Sequence, residues 1–252
     1  MLSWGMKKPR FDPDLRPDGE TFASVAYARL RSEIISGMFS GGEKLRIRQL
    51  CERLGFGISP VREALNRLSS DGFVVQNDLQ GFRVAALTLE DLQELTRTRA
   101  WLNERALRES IARGDRAWEE AIVISHHRLS RTKRWLGDDA SDGVNPDWET
   151  AHRAFHTALI AGCESRWLIG YCEHLFDMAD RYRHMARTPA ARRSRGPSEH
   201  RQIMEATIAR DADLAVARLI EHFQKTADYC LAALASVPIA SASGPKRRSK
   251  CA

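Results

Sequence analysis

Apolar residues recur along this chain with two periods. In "FASVAYARLRSEIISG", Val25, Leu30, Ile34 and Ile35 fall at helical spacing, and the segment stops at Gly37. "GGEK" reads as a turn and "IRQLCERLG" as a short helix ended by Gly55. Ser59 is then a good N-cap, with Pro60 at the first helical position, where its missing N–H costs nothing. The helix that follows, "PVREALNRLSSDG", repeats Val61, Ala64, Leu65 and Leu68 at i, i+3, i+4 and i+7 and stops at Gly72. "FVVQNDLQGFRVAAL" reads as two short strands around a polar turn. From Thr88 onward the pattern is helical, in six segments at roughly 88–113, 116–136, 146–162, 166–187, 197–210 and 213–236, with no convincing strand. Thr88 with Asp91 three residues later resembles a helix N-terminus and marks a boundary.

Helix, helix, four-residue turn, helix and hairpin make a winged helix-turn-helix. The expected fold is therefore mainly α, an N-terminal winged helix-turn-helix plus a C-terminal all-α six-helix ligand-binding bundle. A flexible arm covers 1–20, the winged module 21–87, the bundle 88–236, and a basic tail 237–252 is expected to be disordered.

Charge sharpens this division. The chain of 252 residues carries a net +6. Residues 21–87 hold nine Lys/Arg against six Asp/Glu, and the tail holds four basic residues and no acid. The positive excess sits where a polyanion would be met. No run of about 18 apolar residues is present, so no membrane span is expected. The first twenty residues lack the apolar core of a signal peptide. Five scattered cysteines without a CxxC pair fit a reducing cytoplasm, and the expected location is the bacterial cytoplasm, on the nucleoid when operator is bound.

In a helix-turn-helix the second helix enters the major groove N-terminal end first, while the first crosses the backbone. That places Ser59, Arg62 and Asn66 opposite the buried stripe. Arg62 and Asn66, at i and i+4, project together toward phosphate or base edges. Arg46 and Arg48 begin the preceding helix and suit phosphates. Gln80, Gly81 and Arg83 at the hairpin suit a minor groove. The plainer reading of each arginine alone is an exposed, solvated cation.

The eight histidines divide into two groups. His126 and His127 are adjacent on a polar helix and read as solvated, and His174 and His184 lack an obvious partner. His152 and His156 instead continue through Leu159 to Cys163, beside Trp148 and Phe155. His200 runs with Ile203, Met204, Thr207 and Ile208, and His222 with Ala215, Leu219, Phe223, Thr226 and Cys230. Three helices thus turn imidazoles inward, where each costs free energy unless its nitrogens are satisfied. Neutral imidazoles converging in this way bind Zn²⁺ or Ni²⁺; the alternative is a set of hydrogen-bonded core histidines. Arg99 shares an inward face with Leu92, Leu95, Leu102 and Ala106. Arginine has no usable neutral state, so it needs an anion there, either an internal carboxylate or that of a ligand.

Two resemblances extend these readings. "EIISGMFSGGEKLRIRQLCERLGFGISPVREALNRLSSDGFVVQNDLQGFRVA" resembles the winged helix-turn-helix of the GntR family of bacterial transcription regulators, "SPVREAL.RL" being its most specific part. The resemblance implies DNA contact at Arg48, Ser59, Arg62, Gln80 and Gly81. Members often carry arginine just before the Ser/Thr-Pro, and here that position is Ile58, so relatives' operators do not transfer. Nearly all of 88–236 resembles the all-helical FCD domain of the FadR-type branch. "HRAFHTAL" and "EHRQIMEATIARDADLAVARLIEH" imply His156, His200 and His222 as metal ligands, with Arg99 as the effector-binding arginine. His152 stands where the family usually has Asp, which leaves open either a four-histidine metal site or a metal-free pocket in which the histidines bind a carboxylate directly. The run "HRAFHTALIAGCESRWLIGYCEHLFDMADRYRHMA" is further similar to the carbon-starvation-induced, glutarate-sensing repressor subgroup.

The implied function is a homodimeric, ligand-responsive transcription regulator, a repressor of a carbon or organic-acid catabolic operon. It binds double-stranded operator DNA and a small carboxylate effector, a dicarboxylate or hydroxy acid, with a divalent metal (Zn or Ni) at His152, His156, His200 and His222. Arg99, Tyr182 and Arg183 are the candidate effector-binding residues. One alternative is a metal-dependent helical hydrolase with an appended DNA-binding module. No HExxH is present, and Glu149 and Glu199 are expected on other faces of their helices. The other is an architectural DNA-binding protein, which predicts sequence-independent, steeply salt-dependent binding.

Overall fold

The computed structural model describes residues 19–77, 81–137, 143–186 and 196–236. Helix α1 (Phe22–Ile35) is capped by Thr21, whose side chain accepts from the Ser24 amide. It buries Ala26, Leu30 and Ile34 against α3. Strand β1 (Lys44–Leu45), helix α2 (Ile47–Leu54), helix α3 (Ile58–Ser70), β2 (Val74–Asn77) and β3 (Gly81–Val84) follow. The sheet is antiparallel in the order β1-β3-β2, with Leu45 opposite Phe82 and Val74 opposite Val84. Phe73, Val74, Phe82 and Val84 close a core over Val61, Ala64, Leu65 and Leu68.

Two local expectations are corrected. The "GGEK" stretch is not only a turn, because Lys44 already pairs with Arg83 in the sheet. Ser59 is not the cap of α3: the helix starts at Ile58 with Gly57 as N-cap, and Val61 N–H bonds back to the Gly57 carbonyl. Most of the arm, the tail from 237 and Gln80 lie outside the described residues.

Six helices follow: α4 (Leu89–Arg113), α5 (Arg116–Arg131), α6 (Pro146–Ala161), α7 (Arg166–Met185), α8 (Gly196–Ile208) and α9 (Ala212–Ser236). Thr88 caps α4 by accepting from the Asp91 amide at 3.1 Å. Helix α5 ends earlier than its periodicity suggests, at Arg131. Trp135 instead bridges Val144, and Asn145 donates to the Lys133 carbonyl while capping α6. The core of this part gathers Leu107, Ile122, Phe155, Leu159, Ile203 and Leu219.

One helix joins the two parts. The Arg31 guanidinium of α1 pairs with the Asp177 carboxylate of α7, and Met178 packs on the N-terminal core. Arg181 donates to the Ala85 carbonyl at 2.6 Å. The Tyr182 hydroxyl donates to Asp91 at 2.5 Å and accepts from the Thr88 amide at 3.3 Å. Gly72, at φ 77°, turns with its α-carbon side toward Met178, so a side chain there would be strained. Replacing Tyr182 by Phe removes two hydrogen bonds at this junction. The expected loss is about 1 kcal/mol, read as a lower urea midpoint with unchanged slope; an unchanged midpoint would show that the junction does not depend on the hydroxyl.

Candidate functional site

The N-terminal face carries the DNA candidates. Arg46, Arg48, Ser59, Arg62, Asn66 and Gly81 are all solvent-exposed, Gly81 at φ 78° beginning β3. Arg46 stands at the N-cap of α2, and Arg62 and Asn66 lie on the outer face of α3 opposite Val61, Ala64, Leu65 and Leu68. Arg83 differs from expectation: its guanidinium donates to the Gly42 carbonyl and ties β3 to the turn before β1. Arg67 and Arg53 are likewise engaged inside the module, over Tyr27 and Phe39. Ile58, in the place of the arginine frequent among relatives, is exposed and apolar.

The bundle brings His152, His156, His200 and His222 together, one ligand atom of each lying within 4.8 Å of the others. All four are buried. Helix α6 presents two of them because i and i+4 share a face. Trp148 stacks on His152 at 4.7 Å between ring centres, fixing that ring's plane. Nε2 of His152 and Nε2 of His156 stand 3.1 Å apart. Nδ1 of His222 lies 2.9 Å from a Glu199 oxygen, and a carboxylate in that position makes Nδ1 the donor and leaves Nε2 free to bind. Nε2 of His200 is buried without a hydrogen-bond partner among the described residues. An orphaned imidazole nitrogen among three others is a donor set that suits a divalent ion of nitrogen preference, so the residues fit a metal.

Arginines surround the cluster. Arg99 is buried, its guanidinium 3.9 Å from the Phe223 ring centre and 5.2 Å from that of Phe176. No carboxylate among the described residues pairs with it, and its Nε is unpartnered. Burial lowers its pKa to about 10, with Asp180 opposing, so it stays charged near neutrality. Arg183 reaches Asp180 at 2.8 Å and Nδ1 of His152 at 3.2 Å. A cavity of about 320 Å³ opens beside them, lined among others by Arg99, Arg134, Arg183, Lys225 and the imidazoles of His152, His200 and His222.

Several candidates are found elsewhere than expected. Tyr182 does not line this cavity; its hydroxyl is spent on the junction, because α7 turns that position toward Asp91 and Thr88. Glu199 is beside the histidines rather than on another face, since the cavity wall is formed where α8 meets α9. His126 lines the cavity instead of standing in solvent. His184 pairs with Glu149 at 2.9 Å, and His174 packs edge-on against Phe73. None of these cross-element partners leaves a periodic mark in the sequence.

Burial holds the imidazoles of His152, His156 and His200 well below the ordinary histidine pKa, with neighbouring Arg183 or His222 adding to it. His222 is lowered too, by burial, against the opposing pull of Glu199. All four are neutral at neutral pH, the form that binds a metal.

A winged module followed by an all-helical bundle with an inward histidine set is the build of a bacterial regulatory protein. Residues 22–84 match the model of "Bacterial regulatory proteins, gntR family", and residues 94–225 match that of the FCD domain. The chain belongs to the GntR family and carries an FCD domain. It is 38% identical over 157 residues to the HTH-type transcriptional repressor GlaR of Escherichia coli K12, covering 62% of this chain and 70% of that protein. To the HTH-type transcriptional regulator BphR of Paraburkholderia xenovorans LB400 it is 33% identical over 202 residues, covering 80% and 82%. The solved structure of E. coli McbR/YncC shares the fold at a TM-score of 0.68 and 22% identity, over 84% of this chain and 97% of that one. The chain is thus a DNA-binding, ligand-responsive transcription regulator and not an enzyme. Nothing in these relatives supports a hydrolase. FCD domains can hold a metal, and the histidine cluster could do so here. No described helix is long and apolar enough to cross a membrane.

The lowered histidine pKa values have a consequence for stability. Between the folded and unfolded values the unfolded chain binds more protons, so stability is full above about pH 6.5 and falls as pH drops below it. The limiting slope is about 1.4 kcal/mol per pH unit for each imidazole that stays neutral. Urea melts of the metal-free protein at pH 7.5, 6.5 and 5.5 should show this decline, and His200→Phe should flatten it. A profile that is flat in the wild type would mean that the folded state already accepts these protons.

Proposed function

We propose that this chain is a homodimeric repressor of a carbon or organic-acid catabolic operon, working on nucleoid DNA in the cytoplasm and modulated by a small dicarboxylate. In this reading residues 21–87 are the DNA-binding domain and 88–236 the sensing and dimerisation domain. Arg46, Arg48, Ser59, Arg62, Asn66, Gln80 and Gly81 meet the operator, one module per half of a pseudo-palindrome. His152, His156, His200 and His222 hold a divalent metal, Zn²⁺ or Ni²⁺. When bound, that metal offers a positive point for one carboxylate oxygen.

The observation that carries the reading is Arg99, a buried cation over Phe223 with no carboxylate partner among the described residues, at the wall of a cavity. A buried guanidinium without an anion is costly, and a ligand carboxylate satisfies it bidentately. Arg183 and Lys225 on the same cavity wall favour a second carboxylate over an uncharged tail. Four neutral imidazoles leave a divalent ion at +2, where an Asp ligand would leave +1, which strengthens the preference for an anion. Occupancy can alter operator affinity only by binding two arrangements of the modules unequally.

Thermal unfolding in the presence of glutarate, with and without Zn²⁺, tests the sensing role. A ligand at a hundredfold its Kd stabilises by about 2.7 kcal/mol, and Arg99→Met should abolish that gain while keeping the fold. Stabilisation that survives in Arg99→Met would remove Arg99 from its role. For the DNA face, operators selected from random duplexes should bind Arg62→Ala roughly ten- to a hundredfold more weakly, the cost of about 1–3 kcal/mol for a base contact. Equal affinity would exclude Arg62 from readout.

A further inference from the structure

Ionic side chains run unbroken from the DNA-reading part to the histidine cluster. Arg31 on α1 pairs with Asp177 on α7, and Arg153 on α6 pairs with the same carboxylate. Arg153 also lies 3.6 Å from Asp180, and Asp180 pairs with Arg183 at 2.8 Å. Arg183 Nη1 then lies 3.2 Å from Nδ1 of His152. The charges alternate along the whole path. Both carboxylates are buried, so losing one partner forces each to seek another.

The last contact fixes a tautomer. A guanidinium only donates, so Nδ1 of His152 accepts and the neutral ring carries its proton on Nε2. That Nε2–H points at Nε2 of His156, 3.1 Å away, which accepts it. The inward nitrogen of His152 is therefore not available as a lone pair while Arg183 holds the outer one. A cation drawing on that Nε2 requires the proton on Nδ1, and an Nδ1–H cannot accept from Arg183. The two arrangements exclude each other.

We propose that Arg183 is the positioning residue that reports occupancy of the histidine cluster to the DNA-binding module. Filling the cluster with a divalent cation expels Arg183 from His152. Asp180, Arg153, Asp177 and Arg31 then re-pair, and α1 shifts its hold on α7. The released guanidinium, with an Nε that has no partner among the described residues, is at the cavity wall and open to an incoming carboxylate. The cation thus prepares the pocket for the acid. This inference rests on the metal reading of the pocket given above.

The test uses the full chain, ¹⁵N-histidine labelling and Zn²⁺ alone as the probe. Long-range ¹H–¹⁵N correlation reads the tautomer of His152, with His152→Gln identifying its signals. The metal-free protein should show Nε2–H, and the Zn²⁺-loaded protein Nδ1–H. Hydrogen exchange of residues 22–35 should accelerate about fivefold or more on Zn²⁺ loading in the wild type. In Arg31→Gln, which leaves the pocket intact, Zn²⁺ should bind as before and that acceleration should be lost. Asp180→Asn should lose it as well. Failure of Zn²⁺ to bind would overturn the pocket reading and this inference together. Binding of Zn²⁺ with Nδ1–H already present in the metal-free protein, or with the same α1 response in Arg31→Gln, would overturn this inference alone.

Discussion

Helix α7 is packed on two sides, and most of the molecule's behaviour depends on that double contact. One side gives Asp177, Met178, Arg181 and Tyr182 to α1, the N-terminal core and the chain crossing into α4. The other gives Phe176 and Arg183 to the histidines and Arg99. A helix cannot move one face without the other, because its interior is close-packed and its ridges are rigid. Any ligand that shifts α7 in the pocket therefore acts on the DNA-reading part without a separate device.

The pocket itself is held in an unfavourable electrostatic state. Arg99 keeps its charge with no carboxylate partner among the described residues, Arg183 stands against an imidazole, and four neutral histidines replace what could be an apolar core. Such a site costs stability, and the aromatic faces of Phe223, Phe176 and Trp148 offset only part of it. In the proposed reading, a bound cation and anion would relieve this cost, and that difference is what a sensor converts into a change of shape.

How far this was legible in the sequence varies with the range of the interaction. The helices of the bundle, and the inward faces of His152, His156, His200, His222 and Arg99, follow from i, i+3 and i+4 spacing. Their convergence does not, since periodicity orients a side chain within its own helix and says nothing of which helix it meets. The resemblance to a family supplied that step. Pairings between distant elements stayed hidden: Glu199 with His222, Glu149 with His184, and Tyr182 with Asp91. The short strand at Lys44 escaped for the same reason, because two residues carry no period and are set by their partner Arg83.

His152 is where local and distant effects meet. An Asp there, as the family resemblance implies, would be a group that only accepts, so an adjoining arginine and a metal could share its oxygens without conflict. An imidazole has one lone pair when neutral, and the guanidinium of Arg183 already uses it. Exchanging carboxylate for imidazole therefore does more than raise the charge of a loaded site. It makes cation binding and the Arg183 contact mutually exclusive, and Arg183 is the inner end of the ionic path that leads through Asp180, Arg153 and Asp177 to Arg31.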